Sequence, residues 1–228
     1  MRLTKVIVTA MKEEADIIIN RFNLKETKKL KNLVIFEWER ENEWEKENIV
    51  LALTGIGKIG AAIGTSYIFE NYQVDKLLNI GIAGSLGNID VRVGDVFLPN
   101  TFIQHDMYLP FEGDHLDYAK APIFLEYAIG ENLDLNKFGL VMNGVCLTGD
   151  QFIDNEEKVN ELREDHGADL CEMEAFSILS VAREYDALDK CVVIKAVSDG
   201  ANSEAKDAHM DNLEFAMNNS VDVLELIL

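Results

Sequence analysis

Short apolar, β-branched runs alternate along the chain with segments whose apolar residues recur at about every third or fourth position. The first pattern is typical of buried strands and the second of amphipathic helices. Strands are predicted at 6–9, 33–38, 48–53, 76–80, 95–99, 139–147 and 191–197, and helices at 13–22, 58–71, 123–130, 155–164, 175–185 and 210–228. This alternation predicts an α/β fold with a mainly parallel sheet covered by helices on both faces. Since no linker, repeat or low-complexity segment interrupts it, residues 1–228 are predicted to form a single domain.

A sheet of this kind also indicates where a ligand binds. In α/β proteins, ligands bind at the carboxyl ends of the parallel strands. The segments that follow the predicted strands are 9–14, 54–58, 81–87, 148–154 and 198–203. All but one of them carry acids, glycines or hydroxyl groups without a long side chain to fill the space. We therefore expect these segments to form a polar site.

The net charge of the chain disfavours two classes of binding partner. The formal net charge is −20, in a composition that is 48% hydrophobic and 27% charged. An excess of this size repels phosphate backbones and anionic lipids, which disfavours nucleic acids and membranes as partners. No apolar stretch approaches the roughly 18 residues that a membrane-spanning helix needs.

The cysteines and the first residues indicate a compartment. Cys146, Cys171 and Cys191 lie in apolar runs without a C-x-x-C pair, which favours reduced, buried thiols over disulfides or a zinc site. The first apolar run is short and meets acidic residues at once, so it is predicted to be a strand rather than a signal peptide. We expect a soluble, cytoplasmic protein.

The glycines at 55, 57 and 60 match the dinucleotide fingerprint G-x-G-x-x-G, between a predicted strand and a predicted helix. The fingerprint also needs an acidic residue at the end of the next strand, where this chain has Asn79 and Ile80. A tight turn with close helix packing explains the same glycines. An NAD-binding oxidoreductase therefore remains only an alternative hypothesis.

Eight segments, spread in order over nearly the whole chain, carry a family resemblance. They are TAMKEEAD (9–16), TGIGKIGAAIGT (54–65), NIGIAGSL (79–86), VGDVFLP (93–99), QHD (104–106), TGDQFID (148–154), CEMEAFSI (171–178) and KAVSDGAN (195–202). Together they resemble the nucleoside phosphorylase/nucleosidase superfamily, and most closely its methylthioadenosine/S-adenosylhomocysteine nucleosidases.

The resemblance implies a fold and a reaction. The implied fold is a three-layer α/β/α sandwich around a mixed, partly barrel-like central sheet, usually in a homodimer. The implied reaction is cleavage of the N-glycosidic bond of a small purine nucleoside, with no metal or organic cofactor. The barrier to cleavage falls if the departing purine is protonated, the ribose cation is stabilised and water is activated on the opposite face.

Two acids match the catalytic residues of the family. Asp199 matches the aspartate that protonates or hydrogen-bonds purine N7, and burial beside a purine favours the protonated form that a general acid needs. Ser198 is expected to orient Asp199, although an Asp-Gly turn alone also explains this dipeptide. Glu14 matches the general base on the attacking water, in a first helical turn where acids are common for electrostatic reasons.

The substrate-binding residues implied by the resemblance surround the sugar and the base. Glu174 matches the glutamate that accepts hydrogen bonds from the ribose hydroxyls, and Met173 matches a methionine packed on the sugar. Phe152 matches the aromatic residue that stacks on adenine, although a core phenylalanine is the competing interpretation, and Ile153 supplies backbone contacts to the base edge. Glu172 is either a ligand contact or a structural acid that binds backbone N–H groups.

The chain departs from the family at two positions assigned to the nucleophile pocket. Ile82 stands where the family usually has a hydroxyl residue, and Lys195 stands where it usually has arginine. Lys195 keeps the charge but loses the bidentate guanidinium. A nucleoside-binding module that lost activity through these two changes is therefore a further alternative.

The nucleophile and the 5′-substituent of the substrate are predicted less closely. All six arginines lie outside the glycine-rich loops and the acidic motifs, which favours hydrolysis over phosphorolysis, with Lys12, Lys58 and Lys195 as candidate phosphate ligands. The 5′-substituent stays open between methylthio, homocysteinyl, hydroxyl and futalosine-like groups. Candidates for its pocket are Met107, Tyr108, Phe111, His209 and Met210.

Overall fold

A computed structural model describes residues 3–39, 48–111, 113, 119–127 and 139–228. The strands are β1 Leu3–Thr9, β2 Lys25–Lys29, β3 Val34–Glu39, β4 Asn48–Leu53, β5 Gln73–Ser85, β6 Val96–Leu98, β7 Thr101–Gln104, β8 Ile123–Phe124, β9 Val141–Met142, β10 Val145–Thr148, β11 Leu170–Glu172 and β12 Cys191–Asp199. The helices are α1 Lys12–Phe22, α2 Lys58–Asn71, α3 Glu156–His166, α4 Ala175–Glu184 and α5 Ala205–Ile227, with a 3₁₀ turn at Leu188–Lys190. Within the described ranges, every helix is too short or too polar to cross a bilayer.

The strands belong to one mixed sheet in the order β2-β3-β4-β1-β5-β11-β10-β7-β8, and β12 joins it by pairing with β5 and β6. Strands β4, β1, β5 and β12 run parallel, whereas β11 runs antiparallel to the end of β5. The predicted α/β fold with a mixed central sheet is confirmed. Among the described strands the sheet is open and branched, so the expected barrel-like closure is not present there.

The two faces of the sheet pack against different helices. Val6 and Val8 of β1 contribute to a core with α2 and α4, whereas Ile7 contributes to a second core with α1 and α5. Successive residues of a strand point to opposite faces, so a strand buried on both faces is apolar throughout. The result is the predicted arrangement of three layers, while the assignment of residues 1–228 to a single domain stays a prediction.

Strand β5 is longer than predicted and changes the interpretation of the segment at 81–87. Its glycines suggested a loop, but the strand continues through Ser85. A Cβ atom on Gly81 would lie 2.8 Å from Oε1 of Glu14, and one on Gly84 would lie 3.1 Å from Oδ1 of Asp199. The glycines therefore permit close approach of acidic side chains to a strand, not a turn.

Other predicted elements also need correction. Ile123–Phe124 is a strand rather than the start of a helix, and residues 128–130 of that predicted helix lie outside the described residues. The predicted strand at 139–147 is interrupted at Asn143 and Gly144, which have φ of 74° and 119°. Strand β2 was missed because its sequence, KETKK, is polar and exposed throughout, as suits an edge strand.

Candidate active site

All five predicted segments meet at one pocket on the carboxyl edge of the sheet. The pocket has a volume of about 710 Å³, which includes its solvent-filled entrance. Its lining residues are Ala10, Met11, Glu14, Ile56, Ile82, Ala83, Gly84, Gln151, Phe152, Ile153, Cys171, Glu172, Met173, Glu174, Asp199 and His209. Four of these residues are buried acids, so this apolar-walled pocket is suited to a ligand with polar or positively charged groups.

Glu14 is held in place from the end of β1 and from β5. Its Oε2 accepts hydrogen bonds from Thr9 Oγ1 at 2.6 Å and from the Met11 N–H at 3.0 Å, and its Oε1 accepts the Ile82 N–H at 3.1 Å. These donors fix the carboxylate in the first turn of α1 with Oε1 directed toward Gly81. Its neighbour Glu13 is exposed, so Glu14 is the acid that faces the pocket.

A buried ion pair lies beside Glu14. Lys195 Nζ is 2.9 Å from Oε2 of Glu172, and each side chain is only 2% exposed. Burial alone would lower the pKa of Lys195, but the charges of Glu172 and Glu174 raise it above its ordinary value. The amine therefore remains a cation at neutral pH. A Cβ atom on Gly81 would lie 3.6 Å from this amine, so Lys195 reaches the same point of β5 as Glu14.

Glu172 acts as a structural acid at the start of α4. It accepts the N–H groups of Glu174 at 3.0 Å and Ala175 at 2.9 Å, and it also binds the hydroxyl of Thr148. These donors and Lys195 occupy most of its acceptor sites. Of the two alternatives for Glu172, its contacts are those of an acid that binds backbone N–H groups.

Glu174 has a much poorer set of partners. Its Oε1 accepts the Gly57 N–H at 2.7 Å, and the residue is 8% exposed. Burial and repulsion from Glu172 raise the pKa of Glu174 to about 8, against the opposing effects of Lys195 and Gly57. A carboxyl group that is costly to ionise and lines a pocket is the kind of group that gains most from a polar ligand.

Asp199 lines the same pocket from the carboxyl end of β12. Its Oδ1 accepts the Ala201 N–H at 2.8 Å, and its Oδ2 lies 2.7 Å from the hydroxyl of Ser198. That hydroxyl can donate instead to the carbonyl of Ala83 at 3.3 Å, which frees its oxygen to accept a proton from Asp199. Ser198 can thus support both the neutral and the ionised acid.

An aromatic pair borders Asp199. Phe152 is 46% exposed at the pocket wall, so its interpretation as a core residue is wrong. The ring of His209 meets it edge to face, with centroids 5.5 Å apart, and His209 Nδ1 lies 3.5 Å from Oδ2 of Asp199. A flat apolar ring beside a buried acid is suited to a heteroaromatic base that accepts a proton.

Comparison with known families decides the relationship. The family model described as the phosphorylase superfamily matches residues 4–228. The chain belongs to the phosphorylase superfamily.

Individual members of the superfamily show the same relationship. The chain is 30% identical to the 5'-methylthioadenosine/S-adenosylhomocysteine nucleosidase of Bacillus subtilis (strain 168), over 100% of this chain and 97% of that protein. It is 30% identical to the aminodeoxyfutalosine nucleosidase of Campylobacter jejuni, over 78% of each chain. Among solved structures, the 5'-methylthioadenosine/S-adenosylhomocysteine nucleosidase of Neisseria meningitidis, in complex with methylthio-immucillin-A, superimposes with a TM-score of 0.83, at 26% identity over 99% of this chain and 98% of the other.

Most of the residues predicted from the sequence lie together in this superfamily member. Lining the pocket are Asp199, Glu14, Glu174, Met173, Phe152, Ile153, Glu172 and Ile82. Ser198 and Lys195 are buried behind acids of the site that they contact. Of the candidates for the 5′ pocket, His209 lines the cavity, while Met107, Tyr108, Phe111 and Met210 are exposed.

Three features of this superfamily site were missed from the sequence. They are the Glu172–Lys195 pair, the contact of His209 with Asp199 and the use of the Gly57 N–H by Glu174. The last one also explains the G-x-G-x-x-G motif, because a carboxylate of the chain itself occupies the helix N-terminus that a dinucleotide phosphate would need. No local signal connects residues that are over 100 positions apart in the sequence, such as Gly57 and Glu174.

Proposed function

We propose that this protein hydrolyses the N-glycosidic bond of purine nucleosides such as 5'-methylthioadenosine or S-adenosylhomocysteine, releasing adenine. Asp199 protonates the departing purine beside Phe152, Glu174 accepts hydrogen bonds from the ribose hydroxyls, and Glu14 takes a proton from the attacking water. Met173 and Ile153 contact the sugar and the base edge. The substrate is a small molecule, and the proposed reaction needs no cofactor.

The observation that carries this proposal is the placement of three acids around one pocket. Glu14, Glu174 and Asp199 are 4%, 8% and 4% exposed, and all three line the same cavity. Cleavage of a nucleoside generates positive charge on the ribose, and an ionised carboxyl group in a buried site stabilises such charge strongly. The acid beside the aromatic pair and a second acid in the same pocket match the two proton transfers of the reaction.

The partners of the lysines support water rather than phosphate as the nucleophile. Lys195 pairs with Glu172, Lys58 Nζ lies 2.6 Å from Oδ1 of Asp106, and Lys12 is exposed and bound to Asp16. A phosphate ion needs convergent cations that carry spare charge. Each lysine named as a phosphate ligand is already paired with a carboxylate, so hydrolysis is the favoured reaction.

Base release from a panel of nucleosides tests the proposal. The purified protein is incubated with methylthioadenosine, S-adenosylhomocysteine, adenosine and inosine, each with and without phosphate, and free base is measured by chromatography. We expect adenine release that is independent of phosphate. Release only in the presence of phosphate would instead indicate a purine nucleoside phosphorylase, and binding without release would indicate a binding module.

A nucleosidase for another 5′-substituted nucleoside is the second candidate. The Campylobacter jejuni relative, named for aminodeoxyfutalosine, is as similar in identity as the Bacillus subtilis one. Adding aminodeoxyfutalosine to the panel decides between the two candidates. The nucleoside that gives the highest kcat/KM is taken as the preferred substrate.

We further propose a homodimer formed through α2. Ile59 and Ile63 are one turn apart on this helix and are 74% and 61% exposed, and Ile56, which lines the pocket, is 60% exposed. Contiguous apolar surface of this kind favours association. Light scattering is expected to give twice the chain mass, and Ile59→Asp should give monomers, whereas Ile89→Asp, a control on another exposed isoleucine, should not.

The three buried, free thiols support a reducing compartment such as the cytoplasm.

A further inference from the structure

A closed ring of polar contacts surrounds the start of α2, outside the pocket wall. Oδ1 of Asp150 accepts the Lys58 N–H at 2.8 Å. The two oxygens of Asp106 then bind the amine of Lys58 at 2.6 Å and the N–H of Asp150 at 2.8 Å. Three segments that are distant in sequence are thereby locked together at this helix N-terminus.

The same helix N-terminus holds Glu174 from the inside. The Gly57 N–H, one residue before Lys58, donates to Oε1 of Glu174 at 2.7 Å. Two successive N–H groups thus bind two different carboxylates, one in the pocket and one at the surface. Gly57 has φ of 93°, and a Cβ atom on it would lie 2.8 Å from Oδ1 of Asp150, so this double arrangement requires glycine.

The three side chains of the ring differ in their exposure to solvent. The Asp150 side chain is 45% exposed, whereas the Lys58 and Asp106 side chains are 18% and 12% exposed. The Lys58 amine and the hydrogen bond to Asp150 lower the pKa of Asp106, against the effect of its burial, so it remains an anion in the ring. Among the described residues, the Gly57 N–H is the group that donates a hydrogen bond to the Glu174 carboxyl group. Its direction therefore sets the direction of the carboxylate.

We propose that Asp150, through the Lys58 N–H and the Gly57–Lys58 backbone, is the positioning residue that aims Glu174 at the ribose hydroxyls of the substrate. Lys58 and Asp106 hold Asp150 in this role. The proposal rests on the proposed nucleosidase function and gives the G-x-G-x-x-G motif its purpose: its second glycine lets one loop bind an internal acid and an external acid at adjacent N–H groups. Asp150 itself does not line the pocket, so it acts through Glu174 and not on the substrate.

A comparison of substrates with and without the ribose hydroxyls tests this inference. We expect Asp150→Ala to lower kcat/KM for the ribonucleoside by about tenfold, the effect of one misdirected hydrogen bond. On the 2′,3′-dideoxy analogue the loss should be less than about twofold, because the partners of Glu174 are absent. Asp150→Asn retains an acceptor for the Lys58 N–H and should recover most of the activity.

Glu161→Ala is the matched control, since it removes an acid of α3 that pairs with a lysine at 2.6 Å and does not line the pocket. It should leave both substrates unaffected. Equal losses on the two substrates in Asp150→Ala would show general damage to the pocket and overturn the inference, as would full activity on the ribonucleoside. Failure of the proposed function looks different, because the unmodified protein would then release no base from any ribonucleoside.

Discussion

Replacing Glu174 by glutamine should stabilise the protein while it removes activity. Glutamine has the same shape, and its amide oxygen can still accept the Gly57 N–H that now binds Oε1. The substitution removes only the ionisation of a buried group. Its pKa is raised from 4.5 to about 8 by burial and by the neighbouring Glu172.

The sign and the size of the effect follow from proton linkage. The folded protein binds this proton more tightly than the unfolded chain, so the contribution of Glu174 to stability is complete below pH 4.5 and is lost as the pH rises toward 8. Each pKa unit corresponds to about 1.4 kcal/mol, so the whole shift amounts to about 5 kcal/mol. Between pH 5 and 8, the stability of Glu174→Gln relative to the unmodified protein should therefore increase by about 3 kcal/mol.

Urea unfolding of both proteins at several pH values between 5 and 8 measures this difference. Glu164→Gln, on the exposed face of α3, is the control and should show no such trend. Base release by Glu174→Gln should be far below that of the unmodified protein throughout this pH range, because an amide NH₂ group cannot accept hydrogen bonds from the ribose hydroxyls. A stability difference that stays constant across this pH range would refute the argument that Glu174 is costly to ionise.

Three further substitutions test the other groups of the site. Asp199→Asn should lower the rate of base release by at least about 100-fold, as loss of a general acid does, with little change in the thermal midpoint; near-normal turnover would remove Asp199 from this role. Lys195→Met should lower the free energy of unfolding by about 3–5 kcal/mol in urea titrations, because it leaves the buried Glu172 carboxylate without its positive partner, and Lys195→Arg should cost clearly less. Gly81→Ala places a Cβ atom 2.8 Å from Oε1 of Glu14, so kcat should fall by about 100-fold while KM changes little; unchanged kcat would mean that this position of Glu14 is unimportant.

The hydrophobic pattern determined most of the fold because helix and strand periodicity are largely local properties of the sequence. The apolar runs that became β1, β4 and β12 and the periodic segments that became α1, α2 and α4 were found close to their final bounds. Where local signals were weak, prediction failed: β2 is polar, β11 has three residues, and the end of β5 is rich in glycine.

The sequence by itself also placed Glu14, Glu174 and Asp199 in motifs next to strand ends, and the parallel strands carried them to one edge. Only the tertiary structure decided what each acid does. It gave Glu172 a buried lysine and two backbone N–H groups, and it left Glu174 with the N–H of Gly57. Such differences depend on strand order and register, which bring distant residues into contact, and burial then converts these contacts into the pKa of each group.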